Sequence, residues 1–265
     1  MGDPVCWLHE LCPDCGAVPT GPACWRCGNR LASGTAVPVA SGAVTLIFDA
    51  DDTLWENNAV YERVAADFFA WLAHPDAAHA RAVHLDVERA NVAAHGYGTQ
   101  VFLRSLRDCT ERLRGRQLTA AEQAEIGPLS AALAWKELDL VPGVDEVLTE
   151  LGARHDLRLL TKGRPEEQHL KMEMSGLAHH FVTTHVVPEK DPGTYRALVA
   201  ELGLAPSRTW MIGNSPRSDV LAARAAGLGA VLVPHPSTWV HEHAEIDDPE
   251  VRTVASLREL PALFP

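Results

Sequence analysis

The feature that most constrains this chain is a short run, Ala43-Val-Thr-Leu-Ile-Phe48, that is almost wholly apolar and ends abruptly at Asp49. A half-exposed strand alternates apolar and polar residues, whereas a nearly continuous apolar run is what a strand covered on both faces needs. Such strands belong to parallel sheets, whose helical crossovers cover both sides. The C-terminal half continues the pattern. Pro142-Gly143 opens a predicted helix over Val144–Leu151, and Leu157–Leu160 reads as a strand. Glu166–Ser175 is expected to be helical, with Pro165 at its start and Gly176 at its end, where each is favoured. Phe181–His185, Thr209–Ile212 and Ala230–Val233 are further predicted strands, separated by helices at Thr194–Leu202 and Val220–Ala226. Strand alternating with helix implies the α/β class with a doubly wound parallel sheet.

Between the first strand and Pro142 the signal is helical. Val60, Val64, Phe68, Trp71 and Leu72 fall at three- and four-residue steps, as do Val101, Leu103, Leu106 and Leu113, and about four helices fit. With 265 residues, 46% of them hydrophobic, the chain can bury one large core or two modest ones. The expected organisation is a Cys-rich module at 1–34, a bland linker at 35–42, a sheet domain at 43–56 and 137–265, and a helical domain at 57–136. A formal net charge of -12 without a basic stripe argues against nucleic acid as a partner. No apolar run approaches the roughly 18 residues that span a bilayer. Met1–Glu10 also lacks the basic-then-apolar order of a signal peptide, so a cytoplasmic protein is expected.

Ligands of an open parallel sheet sit at the carboxyl ends of its strands, and the polar residues of this sequence are placed there. The first strand runs into Asp49-Ala-Asp51-Asp52-Thr53-Leu-Trp55 and the second into Thr161-Lys162-Gly163. Lys190 follows the third, and Gly213-Asn214-Ser215-Pro-Arg217-Ser218-Asp219 follows the fourth. These residue types suit phosphoryl transfer, which depends on positioning and on charge stabilisation. A strand-end carboxylate can attack phosphorus, and a second carboxyl two residues on can exchange protons with the leaving oxygen and with water. A hydroxyl and a lysine from other strands can hold the equatorial oxygens. Thr161-Lys162-Gly163 precedes a helix whose amides favour an anion. Magnesium, which prefers oxygen ligands, would bridge carboxylate and phosphate.

Asp49-x-Asp51-x-Thr53 after an apolar strand resembles the first motif of the haloacid dehalogenase superfamily. Thr161, Lys190 and the Gly213–Asp219 loop resemble its other three motifs in order. The resemblance covers about residues 43 to 265, with the helical block in the position of a C1-type cap. It implies a magnesium-dependent phosphatase of a small phosphorylated metabolite, with Asp49 as nucleophile and magnesium ligand. Asp51 is then the general acid/base, its backbone carbonyl a further ligand, and Thr161 and Lys190 bind the phosphoryl group. Lys162 and Trp55 are candidate substrate contacts. Dehalogenating relatives lack the second Asp, and phosphonate-cleaving relatives use a cap lysine, absent here before Lys136. Asn214 stands where the fourth motif usually offers an acid, so weaker metal binding is expected, with Asp219 as a compensating ligand. A binding protein with decayed turnover is the alternative from another class.

Cys12-x-x-Cys15 and Cys24-x-x-Cys27, eight residues apart and each followed by glycine, resemble a short zinc ribbon. Four thiolates so spaced suit a closed tetrahedral, structural Zn²⁺; a pair of disulfides is the alternative. The module would pack on the core, another subunit or a protein partner. Cys109 is expected to be buried packing. The histidines, among them His179-His180, His235 and His241-Glu-His243, show no ligand spacing with acids, and His241–His243 reads as solvated.

Overall fold

A computed structural model describes residues 42–133 and 137–265. Its strands are β1 (Thr45–Phe48), β2 (Asp156–Lys162), β3 (Thr183–Val187), β4 (Thr209–Gly213), β5 (Gly229–Leu232) and β6 (Arg252–Thr253). They form one parallel sheet in the spatial order β3-β2-β1-β4-β5-β6. Helices α1 (Asn58–Leu72), α2 (Ala77–His95), α3 (Thr99–Arg114), α4 (Ala120–Ile126) and α5 (Leu129–Ala132) follow β1. Around the sheet lie α6 (Val144–Gly152), α7 (Pro165–Ser175), α8 (Pro192–Leu202), α9 (Ala222–Ala225) and α10 (Leu260–Leu263).

The apolar run at β1 forms a central strand because both its faces find partners. Leu46 and Phe48 pack with Leu157, Leu159 and Ile212 against Leu148 and Leu151 of α6, while Ile47 points to the other face and joins Met211, Tyr195 and Leu198. The period of two thus divides one strand between two buried clusters. After β3 the chain returns to lay β4 on the opposite side of β1, so the strand order reverses at β1. The loops after β1 and β4 diverge there and leave a crevice at the carboxyl end.

Helices α1, α2 and α3 bury a cluster of their own around Phe68, Leu106 and Cys109. Five helices are described in this block rather than about four, the last a single turn. The chain passes between block and sheet twice, and the two passages pair. Glu56 N–H donates to Asp139 O (2.8 Å) and Val141 N–H to Leu54 O (2.9 Å).

Other differences from the sequence reading have local causes. β3 starts at Thr183, because Phe181 closes a 3₁₀ turn and sets its ring edge-on to Phe48 at 6.1 Å. α8 starts at Pro192, where the Asp191 side chain accepts from Thr194 N–H (2.7 Å). The helix expected from Val220 is a wide π-type turn over Pro216–Leu221 that runs into α9, with both Asp219 and Val220 N–H groups reaching Ser215 O. β6 is two exposed residues with no apolar pattern to read. No helix of the described residues is long and apolar enough to cross a membrane. The expected zinc ligands Cys12, Cys15, Cys24 and Cys27 lie outside the described residues.

Candidate active site

Asp49 is the first residue past β1, fixed by its N–H bond to Ile212 O (2.9 Å) on β4. Its buried carboxylate accepts from Lys190 Nζ, which also donates to Asp219 Oδ1 (2.8 Å). The Thr53 hydroxyl sits 3.1 Å from Asp49 Oδ2 and 3.3 Å from Asn214 Oδ1, and accepts from Asn214 N–H (3.2 Å). Asp219 Oδ2 takes the Ser215 N–H (2.9 Å). Gly213 makes that loop possible, since a Cβ there would collide with the Asp219 carboxylate. Thr161, at the end of β2, is buried, and the one hydrogen bond of its hydroxyl among the described residues is a 3.5 Å contact to Lys162 O. Asp49, Asp51, Thr161, Lys162, Lys190, Asn214 and Asp219 line one cavity of about 170 Å³.

Two carboxylates here share one lysine. Burial lowers the proton affinity of Lys190, but Asp219 and Asp49 more than restore it and keep the ammonium charged. The Asp219 carboxyl is pushed up, by burial first and by Asp49 second, against the pull of Lys190. The surplus negative charge rests on hard oxygens, with the neutral amide oxygen of Asn214 beside them. That donor set fits a small divalent cation such as Mg²⁺.

Asp51 lines the same cavity but is tied to other groups. Both its oxygens accept from Lys171 Nζ (2.8 and 2.9 Å), and Gln168 Nε2 and Trp55 Nε1 add bonds of 2.9 and 2.8 Å. Burial alone would raise its proton affinity, yet Lys171 and these bonds hold the carboxyl below its ordinary range. Trp55, expected against substrate, is 0% exposed and does not line the cavity. Backbone bridges to Asp51 and Leu140 hold it in the core, and only its indole N–H serves the site, through Asp51. Asp52, at φ 60, accepts from Asn57 and Asn58 N–H (both 2.9 Å), so it is buried and caps the start of α1.

The opposite wall comes from the helical block and the C-terminal loop. Lys162 bonds Glu242 and approaches the Tyr97 hydroxyl (3.3 Å). Glu242 also accepts from Ser215 Oγ (2.5 Å) and is held near pKa 2, because Lys162 and its hydrogen bonds outweigh burial. This corrects the reading of His241–His243 as solvated, since Glu242 is buried in the cavity wall while His243 alone of the three is exposed. Asn57, Asn58 and Tyr97 all line the cavity. Two histidines also find acids that sequence distance conceals: His180 pairs with Asp145 (2.9 Å) and His235 with Glu56 (3.1 Å). Lys171, Gln168 and Glu242 were not foreseen as site residues. The one signal for Gln168 and Lys171 is their i, i+3 spacing on a helix that leaves a strand end; Glu242 carries none.

A parallel sheet with a buried aspartate at its switch point, bonded to a lysine from the loop after β3, defines an aspartate-centred α/β hydrolase site. Residues 44–227 match the haloacid dehalogenase-like hydrolase family, and the chain belongs to that family. A haloacid dehalogenase-like family hydrolase of Xanthomonas campestris superposes with a TM-score of 0.74 at 31% identity, over 84% of this chain and 91% of its own. A HAD hydrolase of Bacillus subtilis, solved bound to magnesium, shares the fold at 18% identity and a TM-score of 0.60, over 84% of this chain and 99% of that one. A phosphoserine phosphatase of Thermus thermophilus is 35% identical over 130 residues, 46% of this chain and 49% of that protein, so the chain spans about half the length of this relative.

Proposed function

We propose that the chain hydrolyses small phosphate monoesters through an aspartyl phosphate on Asp49, with Mg²⁺ as cofactor. The observation that carries the reading is Asp49 bonded to Lys190, in a cavity that also holds Thr161, Asn214 and a second carboxyl, Asp51. An Asp49 oxygen attacks phosphorus, and the ester oxygen leaves with a proton from Asp51. A water that gives its proton to Asp51 then attacks phosphorus and frees Asp49. Lys190 and Thr161 hold the phosphoryl oxygens as charge shifts among them. Bound through Asp49, the Asp51 backbone carbonyl and Asn214, with Asp219 beside them, magnesium would neutralise phosphate charge. Lys171 keeps Asp51 ionised, the form that accepts a proton from water; to act as acid Asp51 must first take one up. The name of the Thermus relative supports phosphoryl transfer over dehalogenation, as does Asp51 itself.

The block α1–α5 is proposed as a cap that shuts the cavity against water. Its paired passages, with Tyr97 OH donating to Glu189 (2.6 Å) and Thr99 N–H to Glu167 (3.1 Å), support that role. The two CxxC pairs are proposed to hold one structural Zn²⁺, on their spacing, as a contact surface for protein or a second subunit. Elemental analysis finding no zinc would remove that proposal. The catalytic reading is tested with p-nitrophenyl phosphate. Magnesium-dependent release that EDTA stops and Asp49→Asn abolishes is expected; no turnover on a broad phosphate panel would favour a binding protein.

A further inference from the structure

The phosphate end of the cavity accounts for Asp49, Thr161 and Lys190, but not for Glu88, which lines the same cavity from α2. Glu88 is 7% exposed. Its Oε2 accepts from Trp239 Nε1 (3.2 Å), and its Oε1 accepts no hydrogen bond among the described residues. The nearest basic group is His241, with Nε2 at 3.5 Å, buried and making no hydrogen bond. Burial lowers the proton affinity of that imidazole, which weakens it as a partner for Glu88. Burial likewise pushes Glu88 up to about 7, against the Trp239 bond. Trp239 thus stands beside it, and the rings of Tyr61, Tyr97 and Phe102 line the same cavity.

Every lysine lining the cavity is already matched with an acid: Lys190 with Asp49 and Asp219, Lys171 with Asp51, Lys162 with Glu242. A carboxylate on the leaving group would therefore find each of them occupied, while an ammonium would find Glu88 and aromatic faces. The cavity, about 170 Å³, suits a small alcohol. Resting on the phosphatase reading, we propose that the preferred substrate is the phosphate monoester of a small amino alcohol, its ammonium bound by the Glu88 carboxylate between Trp239 and the tyrosine rings.

The test compares kcat/KM for four monoesters: O-phosphoethanolamine (ammonium only), O-phosphoserine (ammonium and carboxylate), phosphoglycolate (carboxylate only) and propyl phosphate (neither). The expected order places phosphoethanolamine first, about tenfold or more above propyl phosphate, and phosphoglycolate last, a factor typical of one charge-assisted hydrogen bond. In Glu88→Gln the ratio of phosphoethanolamine to propyl phosphate should fall by about tenfold, whatever happens to the absolute rates. Equal rates across the series, a preference for phosphoglycolate, or an unchanged ratio in Glu88→Gln would overturn the proposal with the phosphatase reading intact. Turnover of none of the four while p-nitrophenyl phosphate is still hydrolysed would overturn this proposal alone; no turnover of p-nitrophenyl phosphate or of a broad phosphate panel either would overturn both. The wild-type ranking stands without the variant, so a Glu88→Gln protein that failed to fold would not shelter the proposal.

Discussion

Asp49 draws its position from a main-chain bond to β4 and its charge environment from Lys190, and two of its neighbours make that environment testable. Asn214 places a neutral oxygen beside Asp49, so Asn214→Asp should lower the Mg²⁺ concentration for half-maximal activity by about tenfold, as a charged ligand strengthens a hard-ion site. A magnesium titration of both proteins checks this. Lys171 holds the Asp51 carboxyl down, so Lys171→Met should let its proton affinity rise. Because ionised Asp51 is the form that takes the proton from water, the acid limb of the kcat–pH profile should move to higher pH; an unmoved limb would dissociate Lys171 from the chemistry. The residues legible in sequence, Asp49, Thr161, Lys190 and Asn214, all stand at strand ends, where apolar pattern gives way to polar residues. Lys171 and Glu88 lie within helices, at positions that read as ordinary helix surface. Glu242 lies far along the C-terminal loop, and only the packed chain brings it to the cavity. Trp55 was misplaced because a tryptophan next to a catalytic loop reads the same whether it faces substrate or core.

The elements that deliver these residues are short, and single contacts decide where they start and stop. Asp191 begins α8 one residue after Lys190, so Asp191→Ala should leave the Thr194 N–H without its cap and lower the urea midpoint. β1 is held from both faces, and Leu46→Ala should cost roughly 2–5 kcal/mol with no change in the site's residues. The alternation of strand and helix was readable because buried parallel strands are almost purely apolar. The strand β6 and the π-type turn were not, since the first has no buried face and the second depends on Asp219 closing on Ser215. The N-terminal cysteine pairs fall outside the described residues, and their role rests on spacing alone.

At the scale of the whole molecule, the cavity concentrates buried carboxyls whose titration should govern stability. Asp52, Glu88 and Asp219 are all pushed up, chiefly by burial, Glu88 to about 7. A raised folded-state value means stability that is full below the unfolded carboxyl range, about pH 4, and lost as pH rises toward 7. Asp51 and Glu242 are held low, so their contribution is present above that range and lost as pH falls. Metal-free protein should therefore melt highest near pH 5 and lower at pH 8, and Mg²⁺ should recover part of the loss at pH 8. Thermal melts in EDTA and in Mg²⁺ across that range check it; a curve flat in pH and indifferent to Mg²⁺ would contradict it. The covalent step at Asp49 has its own direct readout. Protein quenched during turnover of a phosphate monoester is reduced with borohydride, which converts an aspartyl phosphate to homoserine, and its peptides are weighed. The account predicts homoserine at position 49, dependent on substrate and Mg²⁺; a reactive protein that yields unmodified Asp49 at every quench time, or homoserine at another aspartate, would contradict it.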